Sequence, residues 1–219
     1  MSRTDPDHQS ESTTSQSIIN GTLVVMAEQG IANLTTKLVS QRADVSTASI
    51  HYFFDTKENL IYSAFLYMVK ALSQETLEIR QREKHPLARL ARSIEVHFSP
   101  FHFEAEASNI WPQFWVHAGA NPDVARLFHI FSRRIISNHA VDLKEAGLPR
   151  AEARLVAAEL SALTRGLWLE KRIAETIGAE DCGAILKARL STIAERTGSS
   201  VPRFKLFRKR ARRHGKKRT

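Results

Sequence analysis

Apolar positions along the chain recur at helical spacing, and no stretch alternates over the length of a strand. The first stripe is Ile18, Ile19, Thr22, Leu23, Met26 and Ala27, and Gly30 closes it. Thr35 is placed to cap a short helix reaching Arg42 or Ala43, after which Asp44 and Val45 make a turn. Ser46 caps a second short helix over residues 47–53. Thr56 caps a longer one, whose stripe is Ile61, Ala64, Phe65, Met68 and Leu72, and Pro86 marks the next start. Further helices fit residues 87–98, 105–118, 123–146, 150–176 and 180–196. Pro100, Gly119 to Pro122, Gly147 to Pro149 and Gly178 punctuate them. The pattern predicts an all-α fold of about nine helices with short links and no internal repeat.

Composition narrows the picture. With 219 residues the chain is long enough to bury a core without covalent staples. A single cysteine, Cys182, excludes an internal disulfide framework and every multi-cysteine metal module. No apolar run reaches the roughly 18 residues that span a bilayer, and Leu23 to Ala27 is too short for a signal-peptide core. A cytosolic protein without membrane partners is expected.

Charge is uneven. Residues 1–62 carry four basic and seven acidic groups, residues 63–202 carry eighteen and sixteen, and residues 203–219 carry ten basic groups and none acidic. The whole positive surplus therefore sits at the end of the chain. Residues 201–219 read as a basic disordered tail suited to nucleic acid phosphates or to a plain solubilising role. Residues 1–14, polar and without period, read as a disordered arm. Between them, residues 15–62 form a first domain and residues 63–200 a second.

Two short helices across a tight turn, followed by a third, have helix-turn-helix geometry. Leu38, Val39, Val45 and Ile50 supply the apolar brace. Thr47, Ala48, Ser49, His51 and Tyr52 are left for base edges and phosphates. The stretch Thr35 to Leu60 resembles the DNA-binding segment of the TetR family of bacterial transcriptional regulators. The match rests on the Val45-Ser46 turn, the Tyr52-Phe53-Phe54 cluster and the run Thr56-Lys57-Glu58-Asn59-Leu60. The resemblance implies a homodimer on double-stranded operator DNA, with a three-helix head and a helical domain that takes a small effector. It extends the DNA-contact set to Thr35, Thr36, Arg42, Ser46 and Lys57. Asp44 stands where the family usually places glycine; aspartate tolerates a left-handed turn.

A narrower resemblance lies further on. Phe114-Trp115, Ser132-Arg133-Arg134, Leu148-Pro149-Arg150 and Gly166-Leu167-Trp168-Leu169 are similar, with their intervals, to the BetI branch of choline-sensing repressors of betaine synthesis. That branch implies choline or a related quaternary ammonium as effector. Such a cation has no N–H to donate and is recognised by aromatic faces. Trp111, Phe114 and Trp115 share one helix face by spacing, and Trp168 is the third tryptophan of the chain. These four are the effector-binding candidates, with Glu104, Glu106 and Glu170 as available carboxylates. The same stripe suits packed core equally well. Leu160, Leu163 and Leu167, with Leu186, Leu190 and Ile193, form seams that suit either a dimer interface or intramolecular core. Arg165 is unusual within its helix.

No phosphate loop, dinucleotide fingerprint or nucleophile elbow occurs, and the histidines lack metal-ligand spacing. Neither an enzyme nor a bound metal or cofactor is expected. The leading reading is an operator-binding repressor released by a small cation. Its rivals are a TetR-type sensor of another ligand, and a helical protein that has lost specific DNA binding and uses its basic tail.

Overall fold

The computed structural model describes residues 6–99, 109–174 and 176–200, and of residues 6–10, 172 and 179 the backbone alone. Among the described residues it contains nine α-helices and no strand: α1 (Pro6–Gln29), α2 (Thr36–Ala43), α3 (Thr47–Phe54), α4 (Lys57–Arg82), α5 (Pro86–Val96), α6 (Ile110–Ala118), α7 (Pro122–Glu145), α8 (Arg150–Leu169) and α9 (Ala179–Thr197).

The capping residues read from the sequence do cap. Thr35 Oγ1 accepts from the Leu38 amide at 3.2 Å, Ser46 Oγ from Ser49 at 3.0 Å and Thr56 Oγ1 from Asn59 at 3.1 Å. Each such bond satisfies an amide that the helix itself leaves unpaired, and is worth about 1 kcal/mol. Asp44 takes the left-handed conformation at φ 53°, so the turn keeps its shape without glycine.

The head is built from α1, α2, α3 and the start of α4. Ile18, Val25, Met26, Leu34, Val39, Ile50 and Leu60 fill its interior. Leu38 and Val45 pack at the edge of that core, so the predicted brace is present. Gly21 lets α1 and α2 approach: a Cβ there would lie 3.0 Å from the Cβ of Ala43. The body is formed by the rest of α4 with α5 to α9, and α7 against α8 is its most extensive helix pair.

Two expectations change, and one boundary is located within a helix. α1 begins at Pro6, so residues 6–14 are helical rather than a disordered arm. Proline and acidic residues suit a helix start, but the apolar stripe that signals a helix begins only at Ile18. The α-helix expected to run to residue 176 ends at Leu169 and passes into a π-helical turn, Glu170–Ala174. The domain boundary expected at 62/63 falls inside α4, one continuous helix shared by head and body. The segment 100–108, which holds the expected helix start at 105, and the tail 201–219 lie outside the described residues.

One charged cluster knits the body. Asp142 on α7 is fully buried and receives Arg80 Nη1 from α4 and Arg89 Nε from α5, each at 2.6 Å. Arg89 also pairs with Glu145. Burial pushes the Asp142 carboxyl upward, and the two guanidiniums oppose that push. Removing any partner would leave a buried charge uncompensated.

Candidate functional site

The exposed helix α3 has two distinct sides. Ile50 and Phe54 are buried against the head, while Thr47, Ala48, His51 and Tyr52 face solvent. Tyr52 is 74% exposed, and its hydroxyl donates to the Glu11 carboxylate at 3.3 Å. Its ring meets Phe53 edge-on at 5.0 Å. His51 Nδ1 lies 3.2 Å from the Asp55 carbonyl, so the imidazole is oriented by the end of its own helix. Ser49 is half-buried and shares a 2.8 Å hydrogen bond with Ser46 Oγ. Thr35 is exposed and Thr36 half-buried at the start of α2. Lys57 is half-buried at the start of α4, and Arg42 is ion-paired with Glu28 of α1. None of the ten residues expected to meet DNA is buried.

The body holds a cavity of about 540 Å³, its mouth included, within the range of small-molecule sites. Leu72 of α4, Trp111 and Trp115 of α6, Phe128, Phe131, Ile135 and His139 of α7, and Ser161, Thr164, Arg165 and Trp168 of α8 line it, with His97 beyond the end of α5. All three tryptophans are therefore walls of one space. Trp115 and Trp168 meet edge-on at 5.5 Å, and Trp111 stacks on Phe131 at 5.8 Å.

Two expectations about this site need correction. Phe114 is not a wall of the cavity. It is fully buried, stacked on Phe65 of α4 at 4.5 Å and edge-on to Phe128 at 5.6 Å. One residue apart on a helix means about 100° of rotation, enough to send Phe114 into the core and Trp115 into the cavity. Glu170 is exposed, accepts from the Thr176 hydroxyl at 2.6 Å and does not line the cavity. Glu104 and Glu106 lie outside the described residues. Among the described lining residues there is no carboxylate.

Residues the sequence left unassigned complete the wall. Phe128, Phe131, Ile135 and His139 follow one another at helical spacing on α7, the same signal that marked the tryptophan stripe of α6. His139 is 3% exposed, and its Nδ1 has no hydrogen-bond partner among the described residues. Burial, with Arg80 nearby, lowers its pKa to about 4, so the ring is neutral at pH 7.

The helix α6 also touches the head. Gln113, between the two cavity tryptophans of α6, accepts from the Ile31 amide at 2.7 Å and donates to the Met26 carbonyl at 2.9 Å. Asn109 donates to the Ala27 carbonyl at 3.2 Å. The end of α1 and the turn after it, where Gly30 has φ 80°, are thus bonded to the helix that walls the cavity.

The leucine seams expected at a dimer interface are consumed inside one protomer. Leu160, Leu186, Leu190 and Ile193 are fully buried, Leu167 is 6% exposed and Leu163 packs on the same core. The two seams lie between α8 and α9 of the same chain and against α5. The outward side of α8 instead carries Leu155, 74% exposed, with Ala158, Ala162 and Gly166 at the same helical spacing. On α9 the outward positions include Ile185, Ala188 and Thr192. Arg189 clamps Glu159 with two bonds of 2.7 Å, holding α9 to α8 beside this face. Cys182, at the start of α9, is buried, and burial raises its pKa, which leaves a thiol rather than a reactive thiolate.

Residues 18–64 match the tetR family of bacterial regulatory proteins, and residues 86–195 match the C-terminal domain of BetI-type transcriptional repressors. The chain is 32% identical over 153 residues to the HTH-type transcriptional regulator BetI of Paraburkholderia xenovorans, covering 69% of this chain and 78% of that one. It is 32% identical over 171 residues to BetI of Burkholderia lata, covering 78% and 87%. Among solved structures, a transcriptional regulator from Rhodococcus superposes with a TM-score of 0.74 at 21% identity, over 83% of this chain and 96% of that one. A regulator from Saccharomonospora viridis, crystallised in complex with choline, superposes with a TM-score of 0.71 at 20% identity, over 84% and 96%. No helix among the described residues is long and apolar enough to cross a membrane. A capped helix-turn-helix head joined to a helical body with an aromatic cavity thus has matching relatives along both halves of the chain, and the chain belongs to the TetR family of DNA-binding transcriptional repressors, with a BetI-type C-terminal domain, and is not an enzyme.

Proposed function

We propose that the chain works as a homodimer on a palindromic operator and is released by a small quaternary ammonium compound bound among Trp111, Trp115 and Trp168. Each α3 enters a major groove with Thr47, Ala48, His51 and Tyr52 toward base edges. Thr35, Thr36, Ser46, Ser49, Arg42 and Lys57 lie at the helix starts and flanks and meet the phosphate backbone. The second copy packs on the outward face of α8 and α9, through Leu155, Ala158, Ala162, Gly166, Ile185 and Ala188. The basic residues 203–219 add a sequence-blind attraction to DNA.

The observation that carries the reading is the double attachment of α6. Its tryptophans wall the cavity while Gln113 holds the end of α1. A ligand that repositions α6 moves the head with it, and two heads whose spacing shifts no longer match two half-sites. The quaternary ammonium class is supported by the aromatic walls and by the neighbour crystallised with choline. The BetI resemblance extends the proposal to genes of betaine synthesis.

Because every tryptophan of the chain lines the cavity, tryptophan emission, excited apart from that of the tyrosines, reports on the cavity walls. Titration with quaternary ammonium compounds is expected to change the emission, and the same compounds to lower operator affinity. Trp115→Ala is expected to abolish the release while DNA binding persists. Release that survives Trp115→Ala would return that ring to a packing role.

A further inference from the structure

From the charge of the walls we infer that the effector carries an anionic group, a carboxylate, beside its quaternary ammonium, and that Arg165 is the residue that receives it. The inference rests on the proposed reading of this cavity as the effector site.

The cavity is built for an apolar body, and its described walls carry no carboxylate. Its described walls include aromatic rings, the imidazoles of His97 and His139, of which that of His139 is neutral, and one guanidinium. A simple cation such as choline would enter beside Arg165 with no carboxylate among the described lining residues to balance it. Arg165 is half-buried on α8, three residues before Trp168, and has no ion pair or hydrogen bond among the described residues. By contrast, Arg80 and Arg89 are committed to Asp142, and Arg189 to Glu159. Burial pushes the pKa of the Arg165 guanidinium down. A half-buried guanidinium with empty donor positions at a cavity wall suits a planar anion, which it holds with two parallel N–H···O bonds.

A second group points the same way. His139 lies on the same wall with an unpartnered Nδ1, and as a neutral ring it can give a hydrogen bond to a carboxylate without adding charge. Ser161 and Thr164 stand on the α8 side with Arg165, although the Thr164 hydroxyl already donates to the Leu160 carbonyl at 2.8 Å. A quaternary ammonium carboxylate brings its own neutralising charge. Its trimethylated head suits the Trp111, Trp115 and Trp168 faces, and its carboxylate suits Arg165, so neither charge is buried alone.

Three probes of nearly equal shape separate the terms: choline (cation only), trimethylglycine (cation and carboxylate) and 3,3-dimethylbutanoate (carboxylate only). Their affinities for the full-length protein are read by tryptophan fluorescence and calorimetry. Trimethylglycine is expected to bind about tenfold or more tightly than either other probe, the scale of one charge-assisted hydrogen bond. Arg165→Gln is expected to remove that advantage and leave choline binding intact. Arg165→Glu is expected to reverse it in favour of choline, an outcome that a misfolded variant could not produce. Choline binding as tightly as trimethylglycine to the native protein overturns the inference while leaving the cavity as effector site. So does 3,3-dimethylbutanoate matching trimethylglycine, which would make the ligand an apolar acid. An unchanged preference in Arg165→Gln overturns the role of that residue. If none of the three binds, the reading of the cavity falls together with the inference.

Discussion

Phe114 and Trp115 are neighbours in sequence with different tasks, and their variants separate them. Phe114→Ala removes a fully buried ring stacked on Phe65 and is expected to cost about 3–5 kcal/mol of stability by thermal or denaturant unfolding. Trp115→Ala opens the half-exposed cavity wall and is expected to cost far less stability but to lose effector binding. On α3, Thr47→Ala and His51→Ala are each expected to weaken operator binding by about 1–3 kcal/mol without changing the melting temperature, read by anisotropy with labelled DNA. Unchanged affinity in both would remove α3 from the major groove. His139 sets a pH dependence. Its pKa is about 4 when folded and ordinarily 6.5, so below 6.5 the unfolded chain binds the proton that the folded chain refuses. Stability contributed by the neutral ring is therefore lost as pH falls from 6.5 toward 4, and His139→Phe is expected to flatten that decline in unfolding experiments. An identical pH profile in the variant would show that the ring titrates freely. The cavity tryptophans were legible in the sequence as a stripe; the placement of Phe114 was not, because spacing says which residues share a side and not where the core ends. Arg165 was visible as an odd residue in an apolar helix, and only the fold reveals that it reaches a cavity.

Elements carry the coupling. α6 is a short helix with tryptophans toward the cavity and Gln113 toward α1, so it has little freedom to move one side without the other. Gln113→Leu keeps the side-chain volume and deletes the bonds to Ile31 and Met26. It is expected to retain effector affinity by fluorescence and operator affinity by anisotropy, while the effector no longer reduces operator affinity. A variant that releases DNA as the native protein does would place the coupling elsewhere. Helix positions were largely readable because caps and breakers are local: Thr35, Ser46, Thr56 and Pro86 each act within one turn. The start of α1 was not, since residues 6–14 have no apolar stripe to betray a helix, and Glu11 meets Tyr52 only after the chain has folded. The Gln113 bridge links positions more than eighty apart, a separation at which periodicity carries no information.

At the scale of the whole molecule, the account requires two heads held at one spacing. The buried leucine seams leave the outward face of α8 and α9 for the second copy, and its small residues allow close helix approach. Ala162→Arg is expected to shift the protein from dimer to monomer in sedimentation equilibrium and to abolish operator binding while the fold persists. A dimer that survives would place the interface on another face. The seams misled because an apolar heptad looks the same whether its partner is the next helix or another chain. The opposite charges of head and tail have a further consequence. With ten basic groups at the end of the chain and an acidic excess in residues 1–62, binding to random DNA is expected to be salt-steep and sequence-blind. Specific recognition must therefore be measured against it. The most direct measurement is a gel shift of the full-length protein on DNA from upstream of its own gene, with excess scrambled competitor, with and without trimethylglycine and choline. The account predicts a complex that survives the competitor and dissolves when a quaternary ammonium compound is added. A complex that the competitor removes, or one that persists unchanged with both compounds, would contradict it.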